Sequence, residues 1–261
     1  KALGGSAGAL WVNGWTGRVQ ECTFTENEAR DFGGAIEWRV KEGTLINSTF
    51  TSNKAGQGGA IHWFGVDGKI TGTNTFTSNE ATQNGGAIFW EGASGTVEGA
   101  TFTSNKAGEG AHGNAIYWAG NAGTVKDSTF DSNTGGAGAI IWLGAEGNIK
   151  DSYFANNGVN PAVFNIYKIA DDLNIEANTF KISVATVKAD KDAYTYNETA
   201  IISGDFNWGV NDNPIGLVID STRGSEEIDF TIENFANGAF TYELKELLPG
   251  EYAVGIVDFT E

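Results

Sequence analysis

Apolar and polar positions alternate in three short strings that recur along the first two thirds of the chain. The first string is Thr-Phe-Thr-Ser-Asn or a close variant. Its Phe falls at Phe24, Phe50, Phe76, Phe102, Phe130, Phe154 and Phe180, in steps of 26, 26, 26, 28, 24 and 26. The Asn three residues on falls at Asn27, Asn53, Asn79, Asn105, Asn133 and Asn157, and Val184 takes that place after the last anchor. The second string is Gly-Ala-Ile-x-Trp, complete at Gly34–Trp38, Gly59–Trp63, Gly86–Trp90 and Gly138–Trp142, with Asn114 replacing the Gly in the copy that ends at Trp118. Gly8-Ala9-Leu10-Trp11 reads as a degenerate first copy and Ala162-Val163-Phe164-Asn165 as a degenerate last one. The third string sets a Gly before a β-former, as in Gly43-Thr44-Leu45, Gly68-Lys69-Ile70 and Gly95-Thr96-Val97.

Each repeat thus holds three short β-prone stretches separated by turn residues. No helical periodicity accompanies them. Three strands in about 26 residues is the arithmetic of a β-solenoid. The sequence therefore predicts an all-β chain: a right-handed parallel β-helix of about seven coils over residues 1–181, followed by an immunoglobulin-like β-sandwich over 182–261. Coils stack every ~4.8 Å, so the shaft is expected to be roughly 34 Å long. Equivalent residues should lie above one another. Phe24, Phe50, Phe76, Phe102, Phe130 and Phe154 are expected to form an aromatic ladder. Asn27, Asn53, Asn79, Asn105, Asn133 and Asn157 are expected to form an amide ladder that satisfies backbone groups at a bend.

In Gly-Ala-Ile-x-Trp, Ile and Trp share one strand face and x points the other way. The x residues are Glu37, His62, Phe89, Tyr117 and Ile141, and with Ile and Trp inward they are expected on a solvent face left open by the preceding alanines. Phe89 and Tyr117, one coil apart and flanked by His62 and Ile141, would form an apolar strip suited to stacking on sugar rings or docking a partner. A loop or neighbouring domain covering the strip is the other reading, and both stay open. Glu37 and His62 could lie ~5 Å apart as a hydrogen-bonded surface pair. His112, in a longer Gly-rich connection, is expected to be exposed.

After residue 180 the period stops. Runs at 182–189, 193–196, 200–206, 215–220, 228–232, 239–244 and 252–259 read as seven short strands, the number expected of an immunoglobulin-class sandwich. Composition shifts at the same place. Thirty of the 37 Gly and seven of the eight Trp precede residue 181. Acidic residues outnumber basic ones 18 to 11 before it and 15 to 5 after it, which sum to the 33 and 16 of the whole chain.

A net charge of −17 argues against nucleic acid and against anionic lipid as partners. It suits an exposed, soluble surface protein. No apolar run approaches the ~20 residues of a membrane span. The single Cys22 excludes an internal disulfide framework and reads as a small buried hydrophobe. The incomplete first coil, with its unpaired strand edges, suggests that the native protein continues upstream of Lys1.

The repeated Gly-Gly-Ala-Ile and Phe-x-x-Asn strings resemble those of the polymorphic membrane proteins of chlamydiae. They are still more similar to the adhesin-like proteins of methanogenic archaea, which often add immunoglobulin-like modules. The resemblance covers residues 8–180, with Asn114 and Ala137 departing from the Gly-Gly pair. It implies export to the cell surface, adhesion to other cells through a surface glycan or protein, and a β-helix with no catalytic residues to carry over. The segment Tyr194 to Asn197, with Asn213-Pro214 and Leu248-Pro249-Gly250, is similar to prokaryotic surface immunoglobulin-like repeats that act as stalk spacers.

The expected function is therefore a non-catalytic, extracellular, monomeric recognition fragment whose anchor lies elsewhere. A passive stalk is the alternative and a β-helix carbohydrate-active enzyme the third reading. No cofactor is expected. Ca²⁺ is conceivable at Asp171-Asp172 with Glu176 or at Asn211-Asp212-Asn213, although neither follows a Ca²⁺-loop spacing. Asn47-Ser48-Thr49 and Asn197-Glu198-Thr199 are glycosylation triplets, and Lys188, Lys191 and Lys245 are candidates for an isopeptide cross-link on composition alone.

Overall fold

A computed structural model describes residues 5–157, 165–169, 172–181, 185–191, 193, 198–206, 215–221, 230–232, 239–244 and 252–258. The repeat region is a parallel β-helix with three faces, each a seven-stranded parallel sheet, so the chain makes about six full turns between the first and last strand of a face. Among the described residues there is no helix.

The Phe face runs from Thr23–Thr25 to Thr179–Lys181, with Phe24, Phe50, Phe76, Phe102, Phe130, Phe154 and Phe180 as register partners. From Phe24 to Phe154 the rings stack at 4.7–4.9 Å between centroids. The Trp face runs from Leu10–Val12 through Ile36–Trp38 and its equivalents to Ile166–Lys168. Trp38, Trp63, Trp90, Trp118 and Trp142 stack at 4.4–4.7 Å and are fully buried. The third face, from Arg18–Gln20 to Leu173–Glu176, contributes Val19, Leu45, Ile70, Val97, Val125 and Ile149 to the same core. Aromatic rings prefer separations of this order. A full ring buried per coil supplies ~1.5–3 kcal/mol from burial alone.

The third sequence string is more than a turn signal. A Cβ on Gly95 would lie 2.3 Å from Cζ2 of Trp90, and one on Gly68 would lie 2.2 Å from Nε1 of Trp63. Glycine is there because the indole of the same coil occupies the space a side chain would need.

The recurring Asn closes each corner of the Phe face. A residue in the left-handed region turns the chain before it, as Ser78 and Ser104 do at φ 54° and 55°. Oδ1 of Asn105 then accepts from the backbone N–H and from Nδ2 of Asn79, at 3.0 and 2.9 Å. Its own Nδ2 donates to the Phe76 carbonyl and to Oδ1 of Asn133, both at 2.9 Å. The same pattern runs from Asn27 to Asn157, with Asn53 to Asn157 fully buried.

A second polar ladder, absent from the three recurring strings, stands two residues before every Phe but Phe102, where Ala100 interrupts it. Ser48 Oγ accepts from the Cys22 N–H, Asn74 Oδ1 from Ser48 N–H, Ser152 Oγ from Ser128 N–H, and Asn178 Oδ1 from Ser152 N–H. Cys22 belongs to this ladder. It is half-buried rather than buried, and its thiol donates to the Gln20 carbonyl as the Ser48 hydroxyl donates to Ile46.

The last copy of the second string lies three residues later than its sequence suggests. Ile166, Tyr167 and Lys168 pair with Ile140, Ile141 and Trp142, so the true equivalent of Ala-Ile is Asn165-Ile166. Residues 162–164 lie outside the described residues. The ladder itself marks the register, because Asn157 Nδ2 donates to Asn165 Oδ1 at 2.9 Å.

Beyond residue 182 pairing becomes antiparallel. Ala185–Ala189, Ala200–Phe206 and Ala239–Leu244 form one three-stranded sheet, and Phe230–Ile232, Ile215–Ser221 and Tyr252–Asp258 form another. Six of the seven expected strands are thus present. Of the seventh, 193–196, only residue 193 is described.

Asn105→Ala should destabilise the shaft by about 3 kcal/mol in urea unfolding, because buried donors and acceptors on two neighbouring coils lose their partners. Asn27→Ala, at the open end of the ladder, should cost less than half as much. Equal costs would mean that the ladder is not what holds the corner.

Candidate functional site

Nearly every rung differs along the x positions of the Trp face. Register pairs Trp11, Glu37, His62, Phe89, Tyr117, Ile141 and Tyr167 in succession. Backbone stacking alone therefore brings the five predicted residues together and adds one at each end.

Their predicted exposure is wrong. Glu37 is 1% exposed, His62 4%, Phe89 7% and Ile141 1%, and Tyr117 is partly covered. The alanines thought to leave this face open, Ala35, Ala60, Ala87, Ala115 and Ala139, are fully buried members of the core. The backbone explains the second error. The amides of both Ala35 and Ile36 donate to the Ala60 carbonyl, so the chain bends at the alanine and strict alternation restarts after it.

The first error arises from what lies outside the sheet. The ring of Phe32, carried by the connection before the strand, stacks on His62 at 4.8 Å. The rings of Phe89 and Tyr117 stack on each other at 4.6 Å. Residues two positions beyond x share its side of the strand. Arg39 donates through Nε to Oε1 of Glu37 at 2.6 Å, the edge of Phe64 faces His62 at 6.4 Å, and Oε2 of Glu91 lies 3.6 Å from Nε2 of His62. The predicted Glu37–His62 pair is therefore replaced by two others: Glu37 with Arg39, and His62 facing Glu91. Burial lowers the affinity of His62 for a proton more than Glu91 and Glu37 raise it, so its pKa falls below the ordinary histidine value. Burial and the Glu91 charge push the Tyr117 hydroxyl upward.

The solvent-facing part of this site is thus a different set. Arg39, Phe64 and Glu91 follow Trp38, Trp63 and Trp90, one per consecutive coil. Phe64 is 51% exposed, and the Arg39 guanidinium lies over its ring at 5.7 Å. The Glu91 side chain is about one-third exposed. A sequence signal for them existed, since the alternation that put x on the outer face also puts x+2 there. The repeat consensus ends at Trp and so does not reach them.

Elsewhere, His112 is exposed as expected and its N–H donates to Asn84 Oδ1 at 2.9 Å. An open cleft at the corner before the Phe face is lined by Asp127, Thr129, Asp151, Tyr153 and Thr179. Ser128 and Ser152 spend their hydroxyl protons on the Lys126 and Lys150 carbonyls. Among the described residues no group of three or more His, Cys, Asp or Glu is placed to hold a metal ion. Asp171 and residues 211–213 lie outside the described residues, as do Asn197 and Lys245. Lys191 donates to Oε1 of Glu198 at 2.9 Å.

Phe89→Ala should lower stability by about 3 kcal/mol in chemical denaturation, the cost of emptying a buried ring site. Little change in stability would mean that this ring lies on an open face after all.

The family described as "Right handed beta helix region" matches residues 4–162, more than half of the chain. No curated protein and no solved structure matches it. The match spans six of the seven strands on each face, with the recurring Phe, Asn and Trp ladders inside it, and the chain belongs to the right-handed β-helix family.

Proposed function

We propose that this chain is a non-catalytic recognition module of a cell-surface adhesin, and that it grips a surface glycan through Arg39, Phe64 and Glu91. The observation that carries the reading is the half-exposed ring of Phe64, held under the Arg39 guanidinium and followed one coil on by the Glu91 carboxylate. An exposed aromatic face offers a platform for the C–H face of a sugar ring. A forked donor and a carboxylate acceptor beside it suit vicinal hydroxyls. Large apolar groups ringed by polar ones are the usual mark of an interaction surface.

Three further considerations support a binding rather than a catalytic role at this patch. Glycoside chemistry needs two carboxyl groups converging on the scissile bond. Here Glu37 is buried and engaged by Arg39, which leaves Glu91 alone in contact with solvent. The strong negative charge keeps such a shaft soluble at a surface and disfavours polyanionic partners. The resemblance of the repeats to archaeal adhesin-like proteins points to the same setting. It also favours reading the two antiparallel sheets after residue 182 as an immunoglobulin-like spacer.

Phe64→Ala should weaken binding to the best ligand on a glycan array, and to whole cells, by about tenfold or more. Stability should fall by less than in Phe89→Ala, because half of the Phe64 ring is already in water. Unchanged binding would remove the patch, and absence of binding to any glycan or cell would favour a passive envelope element.

A second reading draws on the cleft where Asp127 and Asp151 stand at equivalent positions of successive coils beside the exposed Tyr153. Two carboxylates and an aromatic platform in one groove are the parts of a glycoside hydrolase site. Polysaccharide turnover that disappears in both Asp127→Asn and Asp151→Asn would favour this reading. Absence of turnover in the unmodified protein would dismiss it.

A further inference from the structure

Buried polar atoms nearly always have a partner, and His62 is an exception. Both ring nitrogens are shut off from solvent and neither has a hydrogen-bond partner within the protein. The ring is packed among Phe32, Phe64 and Phe89, at 4.8, 6.4 and 5.4 Å. Three charged groups face it. Glu37, its register neighbour, is bonded to Arg39, which holds that carboxylate in place. Glu91, on the following coil, presents Oε2 at 3.6 Å from Nε2, just beyond hydrogen-bond reach, and the rest of its side chain opens to solvent. Glu91 is therefore shared between the buried ring and the exposed patch.

We propose that His62 is a proton-operated latch on the Arg39–Phe64–Glu91 patch: protonation of the ring draws the Glu91 carboxylate inward to Nε2 and withdraws it from any ligand. The proposal rests on the recognition role of that patch and adds its regulation. A neutral ring offers Glu91 at most one weak donor, set by tautomer. An imidazolium carries a donor on each nitrogen, and a charge-assisted bond to Glu91 shortens the 3.6 Å gap to hydrogen-bond length. Glu37 does not compete as strongly, because its Oε1 already accepts from Arg39. Glu91 is the member free to move, being the more exposed of the two carboxylates.

Desolvation places the event on the acid side of the ordinary histidine range, so the latch is open at neutral pH and closes only below that range. The sign for stability follows. The unfolded chain takes up this proton near the ordinary pH of ~6.5, and the folded chain only below that. Stability from this site is complete above ~6.5 and is lost as pH falls from there through the folded pKa.

The test follows the His62 ring resonances through a pH titration, with His112 assigned by difference in His112→Gln. In the unmodified protein His62 should titrate below ~6.5. In Glu91→Gln its pKa should fall further, by about half a unit or more, because the negative charge that favours the imidazolium is gone. Identical titrations in the two proteins, or no titration before acid unfolding, would overturn the latch. His62→Phe, the residue found at the next rung, keeps the aromatic packing and should lessen the loss of stability on acidification by the share due to this site. A glycan found at neutral pH should bind at least about fivefold more weakly below the His62 pKa read from the titration in the unmodified protein, and equally at both pH values in His62→Phe. Equal weakening in both would separate ligand binding from the latch. The ring titration can be read even if no glycan binds, so failure of the recognition reading is told apart from failure of this one.

Discussion

The hydrogen bonds between successive coils impose one rise on all three faces, and every side chain has to tolerate its own counterpart at that distance. Parallel strands fix the rise at ~4.8 Å. Stacked indoles and phenyl rings, at 4.4–4.9 Å, satisfy it with apolar burial. Asparagine satisfies it with an amide that accepts from one side and donates to the other, so a column of identical residues has no unpaired member inside it. Ionised side chains satisfy it poorly, because like charges would stand one above another. The uniform columns of Phe, Trp, Asn and Thr are accordingly all uncharged. The column that mixes Glu37, His62, Phe89, Tyr117 and Ile141 is the place where titratable groups are buried without a like neighbour.

Much of this was legible in the sequence. The three recurring strings sufficed to place three strands per coil, and the Phe and Asn spacings to name two columns, because each of those residues meets a copy of itself whatever surrounds the shaft. Burial of the x column was not legible. Alternation says on which side of a strand a residue lies, and says nothing of what covers that side. The covering comes from Phe32, in a connection with no consensus, and from Arg39, Phe64 and Glu91, just beyond one. The bend at Ala35, where two consecutive amides share one carbonyl, interrupts the period-two rule that the reading relied on. The final coil was displaced because Ala162-Val163 imitates Ala-Ile, whereas the amide contact between Asn157 and Asn165 sets the true register.

The mixed column also explains why the exposed patch and the buried histidine belong to one unit. Each coil contributes an x residue and an x+2 residue on the same side. A difference at one rung is therefore felt two residues along and one coil away. His62 meets Glu91 in this manner, across adjacent strands that differ only at x. The patch is anchored on consecutive strands of a sheet whose inner face is a continuous indole stack, so its residues are held at fixed spacing.

The separations between ladder residues are unequal, and the inequality is localised. From Ala to the next Phe the chain spends 15 residues in four coils and 16 in the coil from Ala60 to Phe76, whereas from Asn to Ala it spends 8, 7, 8, 10 and 6. Length varies chiefly in the connection that carries Phe32 and His112, and the columns on either side stay in register regardless. Lineages of such a protein are thereby free to lengthen or shorten that connection and so diversify the wall over the mixed column, while inheriting the supporting scaffold unchanged.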